Sequence, residues 1–187
     1  YYPIGGEYGS GVSVQTGGVA GQKGAGIMPI MLSSFTHYIK AELILRGIIA
    51  GDAKTELQTA ISQSIEKVTG LFPDSEKGLA PNVIASKTTK YLNFIGLVYD
   101  EADDDRRLEL VIKEYYIATW GNGIEPYNNY RRTGYPSNFQ PTLEPESGAF
   151  YNAAYYAGSA INNNPNVPEN LRTRKVFWAV PNTDILN

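Results

Sequence analysis

The segment Gly121–Asn138, GNGIEPYNNYRRTGYPSN, concentrates side chains whose chemistry suits the binding of a ligand. Tyrosine combines a flat apolar ring with a polar tip, asparagine both donates and accepts hydrogen bonds, and arginine provides a forked set of donors. The same side chains also suit a loop whose backbone polar groups need partners. The segment therefore predicts either a ligand site or a structural clamp, and the surrounding elements have to decide between the two.

Other kinds of functional site find little support in the sequence. The chain has no cysteine and a single histidine, His37, which excludes thiolate chemistry and disfavours a metal site or a catalytic triad. The run Asp103–Asp105 lacks the spacing of a calcium loop and is better explained as the start of a helix. The glycine-rich segment GGVAGQKGAG lacks the Gly-Lys-Ser/Thr of a phosphate-binding loop. We expect no metal and no cofactor.

Composition indicates a globular protein of one domain. The chain has 187 residues, of which 42% are hydrophobic and 19% are charged, values that separate it from disordered chains. The net charge of -3 is too balanced to favour nucleic acid or an anionic membrane surface as a partner. No apolar run is long enough to span a bilayer, and the first residues resemble neither a signal peptide nor a natural start.

Periodicity predicts a mainly α-helical fold in three segments. Residues 1–32 are a glycine-rich loop segment, 33–121 a helical part and 122–187 a loop-rich part. Within the helical part, Ser33–Val68 predicts a helical hairpin with a very short turn at Ala50–Asp52, in which Asp52 caps the second helix. The faces of its second helix and of the helix after Asp105 have helical spacing: Ala53, Leu57, Ala60, Ile61, Ser64, Ile65 and Val68, then Leu108, Val111, Ile112, Tyr115 and Ala118.

Two further helices are predicted. One covers much of Val83–Tyr99, between the hairpin and the helix that Gly121 and Gly123 end. In the loop-rich part the many prolines disfavour long helices, and we expect a short helix near Ala149–Ala157. Loops of this length in an ordered domain are often functional.

Several motifs together resemble the SusD/RagB family, the starch-utilisation-type glycan-binding lipoproteins of the Gram-negative outer membrane. The helix is followed by the family's Gly-x-Gly-x-Glu, an aromatic and Arg-Arg-Thr-Gly-Tyr-Pro, which fall on Gly121, Gly123, Glu125, Tyr127, Arg131, Arg132, Thr133, Gly134, Tyr135 and Pro136. The stretch SSFTHYIKAELILRGIIAGDAKTELQTAI looks like the family's Ala-Glu-bearing helix, with Ala41, Glu42, Arg46 and Gly47. The segments YYAGSAINNN and KVFW resemble elements near the family's C-terminus. Asn152 and Ala157 depart from the usual Arg and Pro.

The resemblance implies a SusD-like fold, in which tetratricopeptide-like helical hairpins carry long ordered loops. Family members are longer and have a lipidated N-terminal cysteine, so we expect this chain to be the C-terminal portion of a single domain. The implied function is that of a non-catalytic carbohydrate-binding component at the cell surface. It binds an oligosaccharide or polysaccharide and passes it to a TonB-dependent, SusC-like transporter. The implied membrane attachment is a lipid anchor that this chain does not contain.

Two alternatives from other classes stay open. A glycoside hydrolase needs two carboxylates across a cleft. Glu125, Glu144 and Glu146 lie in the loop-rich part, but their spacing does not require catalysis, so we assign no catalytic residue. A helical-repeat interaction scaffold needs several stacked hairpins, and the chain shows one hairpin and no fixed period.

The resemblance also divides the residues of the opening segment. Arg131, Arg132 and Tyr135 are implied to fix the loops against the helices, and Glu125 is a plausible partner for either arginine. Sugar recognition needs flat apolar faces for pyranose C–H groups and planar polar groups for hydroxyls. Trp120, Tyr127, Asn128 and Tyr130 supply both, and they are the predicted ligand-binding residues.

Overall fold

The computed structural model describes residues 29–70, 79–140, 150–167 and 174–180. Those ranges contain no strand and six α-helices: α1 (Ser33–Leu45), α2 (Ala53–Gly70), α3 (Pro81–Glu101), α4 (Asp104–Ala118), α5 (Ile124–Thr133) and α6 (Gly158–Asn163). The predicted mainly α-helical class is confirmed. The chain divides into two compact units, Tyr1–Gly123 and Ile124–Asn187, and most of the predicted glycine-rich loop segment lies outside the described residues.

Helices α1 and α2 form the predicted hairpin, with a longer connection than the sequence suggested. Helix α1 ends at Leu45, and the Ile48 N–H returns to the Leu43 carbonyl at 2.9 Å while Gly47 takes a φ of 68°. This is the left-handed conformation that commonly ends helices. Asp52 then caps α2, because its carboxylate accepts hydrogen bonds from the Lys54 N–H at 3.0 Å and the Thr55 hydroxyl at 2.6 Å. The predicted capping by Asp52 is confirmed.

The core of the first unit lies between α1, α2, α3 and α4. Tyr38 of α1 stacks on Tyr115 of α4 with ring centroids 5.1 Å apart, and Phe35 lies 5.3 Å from the same ring. Most residues of the predicted apolar faces lie in or against this core, and Val68 is exposed. The buried members are Phe35, Tyr38, Ala41, Ala53, Leu57, Ala60, Ile61, Ile95, Tyr99, Val111, Tyr115 and Ala118. Aromatic and aliphatic burial of this kind is the main favourable contribution to folding.

Helices α3 and α4 begin with different signals. Helix α3 starts with Pro81, whose fixed φ and missing N–H suit a first helical position, and it extends the predicted range at both ends. At the start of α4 the Asp103 side chain accepts a hydrogen bond from the Arg106 N–H at 2.9 Å, and Asp104 and Asp105 occupy the first turn. The acidic run is therefore a helix cap with favourable charges near the helix N-terminus, as predicted.

The second unit differs from the prediction in two places. The motif segment that was predicted to be part of a loop-rich region begins with a ten-residue helix, α5. The short helix predicted near Ala149–Ala157 is wrong for residues 150–157, which are not helical, and Ala149 lies outside the described residues. The short helix of this region, α6, starts instead at Gly158.

Candidate functional site

Helix α5 carries most of the predicted site. Pro126 lies in its first turn, where backbone N–H groups have no partner within the helix, so proline removes nothing the helix needs. Glu125 occupies the first turn and Arg131 and Arg132 the last, each on the side that the helix dipole favours. Gly134 ends the helix with a φ of 76°, and its N–H bonds to the Tyr130 carbonyl at 2.8 Å.

Arg131 lies between two aromatic rings. Its guanidinium carbon is 4.1 Å from the centroid of the Tyr127 ring and 4.5 Å from that of the Trp178 ring. The residue is 9% exposed, so the cation is largely desolvated. Contacts of a cation with ring faces strengthen under such conditions.

Hydrogen bonds connect Arg131 to its own helix and to two other stretches of the second unit. One guanidinium nitrogen, Nη1, donates to the buried carbonyl of Asn152 at 2.7 Å, and Nη2 donates to Oδ1 of Asn128 at 2.8 Å. The backbone carbonyl of Arg131 accepts from the Val180 N–H at 3.0 Å. We call Arg131 with Tyr127, Asn128, Asn152, Trp178 and Val180 the Arg131 hub. A hydrogen bond from a charged guanidinium to a carbonyl is stronger than one between two neutral groups.

Arg132 is bonded within its own helix. Its Nε and Nη2 both donate to Oδ1 of Asn129, at 3.1 and 2.9 Å. Tyr135 is half-buried next to the helix end, where its N–H donates to the Thr133 hydroxyl at 3.1 Å. The bond between Tyr135 and Pro136 is cis. The pairing of Glu125 with either arginine stays a prediction.

The predicted ligand-binding residues occupy different environments. Tyr130 is buried at 2% exposure, with Phe139 and Phe150 at centroid distances of 5.2 and 5.1 Å, so its ring is part of the packing of the second unit. Tyr127 is half-buried, and its hydroxyl donates to the Tyr151 carbonyl at 2.5 Å. Asn128 accepts from Arg131.

Trp120 is the predicted ligand residue with a large exposed ring. It is 74% exposed and lies two residues past the end of α4, in the first unit, whereas Tyr127, Asn128 and Tyr130 belong to the second. The backbone beside it is ordered by a hydrogen bond from the Trp120 N–H to the Ile117 carbonyl at 3.3 Å. Gly121 follows with a φ of 93°, a conformation that residues with a side chain rarely adopt.

Sequence reasoning did not place Asn152 and Trp178 beside Arg131. Asn152 is 21 residues away in the chain and is 0% exposed. No local periodicity links positions so far apart, and the interaction uses the backbone carbonyl of Asn152, which any residue type would offer. The exposed tyrosines Tyr151 and Tyr155 also went unassigned, although their four-residue spacing was visible in the sequence.

His37, which the sequence did not favour as a metal ligand, bonds to side chains of α2. Its Nδ1 lies 2.5 Å from Oε2 of Glu56, and its Nε2 lies 3.2 Å from Nε2 of Gln63. Across the four described ranges no group of three or more histidine, cysteine, aspartate or glutamate side chains is arranged to hold a metal ion. None of the described helices is long and apolar enough to span a bilayer.

A comparison with family profiles identifies one family. A family profile described as SusD-like, starch-binding and associating with the outer membrane matches residues 7–155. A solved structure of a SusD homolog from Bacteroides fragilis is 28% identical, with a TM-score of 0.45. That match covers 55% of this chain and 22% of the other chain, so it spans well under two thirds of the solved relative. No curated protein matches the chain.

Proposed function

The chain belongs to the SusD-like family, whose profile covers residues 7–155 and whose description is starch-binding and outer-membrane-associated, and from that premise we propose a non-catalytic glycan-binding function. The protein that carries this chain binds an oligosaccharide or polysaccharide at the cell surface. It passes the glycan to a TonB-dependent, SusC-like transporter of the outer membrane. In this proposal the chain supplies part of the binding surface and does not cleave the glycan.

The exposed ring of Trp120 is the observation that carries the binding proposal. Indole offers the largest flat apolar face of any side chain, and such a face suits the C–H side of a pyranose ring. At 74% exposure the ring contacts solvent over most of its surface. A ring held at a helix end loses little conformational entropy when it binds, because its backbone is already ordered.

Affinity measurements on Trp120 variants test this proposal. Titration calorimetry against a panel of oligosaccharides should show binding by the protein. Trp120→Ala should weaken that binding by roughly tenfold or more, as truncation of an aromatic anchor does. Trp120→Tyr should retain part of the affinity, since a flat ring remains. Tyr116→Ala is the matched control, because Tyr116 is an aromatic of α4 that is 44% exposed. Full affinity in Trp120→Ala would remove this residue from the site.

A product analysis tests the non-catalytic part. Oligosaccharides incubated with the protein should keep their length when separated by chromatography. Release of shorter sugars that stops in Glu125→Gln would establish a hydrolase instead, because a glycosidase depends on its carboxylates.

The partner and the location need experiments on the whole protein. After mild solubilisation of the outer membrane, the protein should co-purify with a TonB-dependent transporter. If the whole protein carries the lipid anchor that the family resemblance implies, metabolic labelling with a fatty acid should label it. If it lies at the cell surface, protease added to intact cells should digest it. Recovery without a transporter would contradict the transfer step, and protection from protease would contradict the cell-surface location.

A further inference from the structure

The second unit presents two exposed tyrosines on an ordered backbone. Tyr151 is 47% exposed and Tyr155 is 50% exposed. Their ring centroids are 5.7 Å apart and their planes meet at 83°, an edge-to-face arrangement. Neither residue was among the predicted ligand-binding residues, and we call them the tyrosine pair.

The backbone that carries the tyrosine pair is fixed by the Arg131 hub. The carbonyl of Tyr151 accepts the hydroxyl of Tyr127 at 2.5 Å, and the next carbonyl, that of Asn152, accepts Nη1 of Arg131 at 2.7 Å. Asn152 is 0% exposed and Ala153 is 7% exposed, so the chain between the two tyrosines is anchored in the interior. Two large apolar rings are therefore exposed on a segment that has little freedom left to lose on binding.

The described segment that carries the tyrosine pair contains no charged side chain. The described segment 150–167, FYNAAYYAGSAINNNPNV, contains no Asp, Glu, Lys or Arg but has five asparagines and three tyrosines. Arg174 contacts the segment, and there its Nη1 donates to the Tyr156 hydroxyl at 2.6 Å while its guanidinium lies 5.0 Å from the Tyr156 ring centroid. The charge is thus engaged by Tyr156, next to the tyrosine pair.

This composition selects one class of ligand. Aromatic faces contact the C–H faces of pyranose rings, and amide groups pair with hydroxyls as both donors and acceptors. Recognition of carboxylate or phosphate groups uses the arginine guanidinium or the lysine ammonium, and residues 150–167 contain neither arginine nor lysine. We propose that Tyr151 and Tyr155 form a stacking subsite for a neutral oligosaccharide. The proposal rests on the glycan-binding function proposed above and adds a second contact surface and a substrate class to it.

Variants of Tyr155 test the subsite in the whole protein. Linear oligosaccharides of glucose and of mannose serve as the neutral probes, and an oligogalacturonate serves as the acidic comparison. Tyr155→Ala should weaken binding of the best neutral probe by roughly tenfold, and Tyr151→Ala with Tyr155→Ala should weaken it further. Tyr155→Phe keeps the ring and should stay within about twofold of the parent protein. Tyr116→Ala, a change at a comparably exposed tyrosine of the first unit, should leave affinity unchanged.

A second measurement needs only the conservative variant Tyr155→Phe, which keeps the ring. In the parent protein, saturation of the tyrosine ring protons by NMR should transfer to the C–H protons of the bound neutral oligosaccharide. The Tyr155→Phe variant then identifies the signals of Tyr155. Absence of transfer from the tyrosine pair to a probe that binds would overturn the subsite.

The outcomes separate this proposal from the function on which it rests. If no oligosaccharide binds the parent protein, the glycan-binding function itself fails. If the probes bind, and Trp120→Ala lowers their affinity while the Tyr151 and Tyr155 variants do not, only the subsite proposal fails. Tighter binding of the oligogalacturonate than of any neutral probe would overturn the substrate class. Loss of a co-purifying protein from the Tyr155→Ala variant, with glycan affinity intact, would make the tyrosine pair a protein contact and overturn the subsite.

Discussion

Tyr91 of α3 donates its hydroxyl to the carboxylate of Glu114 on α4, at 2.9 Å from each carboxylate oxygen. Glu114 is 4% exposed, and burial raises the pKa of its carboxyl above the usual value, although the Tyr91 hydrogen bond and the charge of Lys113 oppose the rise. Burial and the Glu114 charge in turn raise the pKa of Tyr91. Glu114 is therefore a buried acid whose charged form is stabilised by the Tyr91 hydroxyl and by the charge of Lys113.

The raised pKa of Glu114 predicts a pH dependence of stability. A carboxyl whose pKa is higher in the folded state binds its proton more tightly there. Its contribution to stability is therefore fully present below the unfolded pKa and is lost as the pH rises through the folded pKa. Urea unfolding at about pH 5 and about pH 7.5 should show Glu114→Gln gaining stability relative to the parent at the higher pH. An identical difference between variant and parent at both pH values would contradict this assignment.

Removal of the Tyr91 hydroxyl should lower stability at neutral pH, whereas Glu114→Gln should raise it. Tyr91→Phe takes away a hydrogen bond that favours the ionised carboxylate, so the pKa of Glu114 should rise further. We expect a loss of about 1–2 kcal/mol at neutral pH and a smaller loss near pH 5, where the carboxyl is closer to neutral. The same urea titrations measure it. Combining Tyr91→Phe with Glu114→Gln should reduce the pH dependence of the loss, which a purely steric effect of the variant would not do.

Arg131 should contribute more to stability than an exposed arginine with similar contacts. Arg131→Ala removes the donor to the Asn152 carbonyl and the packing between two rings, and we expect a loss of about 2–3 kcal/mol. Arg174 also bonds a polar oxygen and lies over a tyrosine ring, but it is exposed, so Arg174→Ala should cost less than about 1 kcal/mol.

Tryptophan fluorescence can measure the unfolding of the second unit, because the chain has two tryptophans and only Trp178 lies in that unit. In a Trp120→Phe background, the fluorescence of Trp178 reports on the surroundings of Arg131. The stability of Arg131→Lys should lie between that of Arg131→Ala and that of the parent, because lysine keeps the charge but loses the forked donors. Equal losses for Arg131→Ala and Arg174→Ala would show that the Arg131 hub adds nothing to stability.

Two glycines of the hairpin connection predict different costs of substitution. Gly51 has a φ of 154°, and an added Cβ would lie 2.7 Å from Cδ1 of Ile44. We expect Gly51→Ala to destabilise the chain by about 2–3 kcal/mol, since both the backbone and the contact are unfavourable. Gly47 has a φ of 68° and no atom within 4 Å of an added Cβ, so Gly47→Ala should cost only about 1 kcal/mol. Thermal unfolding followed by circular dichroism compares the two.

Substitution by asparagine separates the cost of the backbone conformation from the cost of the contact with Ile44. It tolerates the left-handed region better than alanine does. Gly47→Asn should therefore recover part of the loss, whereas Gly51→Asn should not. Recovery at both positions would show that the contact with Ile44 has little influence.

The cap of α4 predicts a difference between neighbouring aspartates. Asp103→Ala removes the side chain that accepts the Arg106 N–H and should cost about 1 kcal/mol. Asp105→Ala leaves the cap in place and removes only a favourable charge in the first turn, so about 0.5 kcal/mol or less is expected. Salt at high concentration should erase the effect of Asp105→Ala and preserve that of Asp103→Ala, since ions screen charges but do not replace a cap. The measurement is urea unfolding at low and high salt.

The helical hairpin and α4 could be predicted because their signals are local. Leu57 and Ile61, or Val111 and Tyr115, recur at helical spacing, and Asp52 and Asp103 sit directly before the helices they cap. Helix α5 was missed because the glycines on either side of it, and its own proline and asparagines, are typical of loops. Their positions resolve the conflict, since Pro126 falls in the first turn and Gly134 lies just past the end.

The helix predicted near Ala149–Ala157 failed for a non-local reason. In a helix the carbonyls of Tyr151 and Asn152 would accept N–H groups four residues later. In the structure they accept the Tyr127 hydroxyl and Arg131 Nη1 instead. Tertiary hydrogen bonds therefore override the helix propensity of the alanines, and no pattern within the segment reveals donors that come from α5.

The Arg131 hub has a consequence for how far the second unit can vary in length. It gathers α5, the stretch at Asn152 and the stretch from Trp178 to Val180 at one guanidinium and one backbone carbonyl. Loop-closure entropy grows only with the logarithm of loop length, so doubling a flexible connection costs about 0.6 kcal/mol. The number of residues between these stretches is therefore a weaker constraint on their meeting than the Arg131 guanidinium itself, which contacts both Asn152 and Trp178.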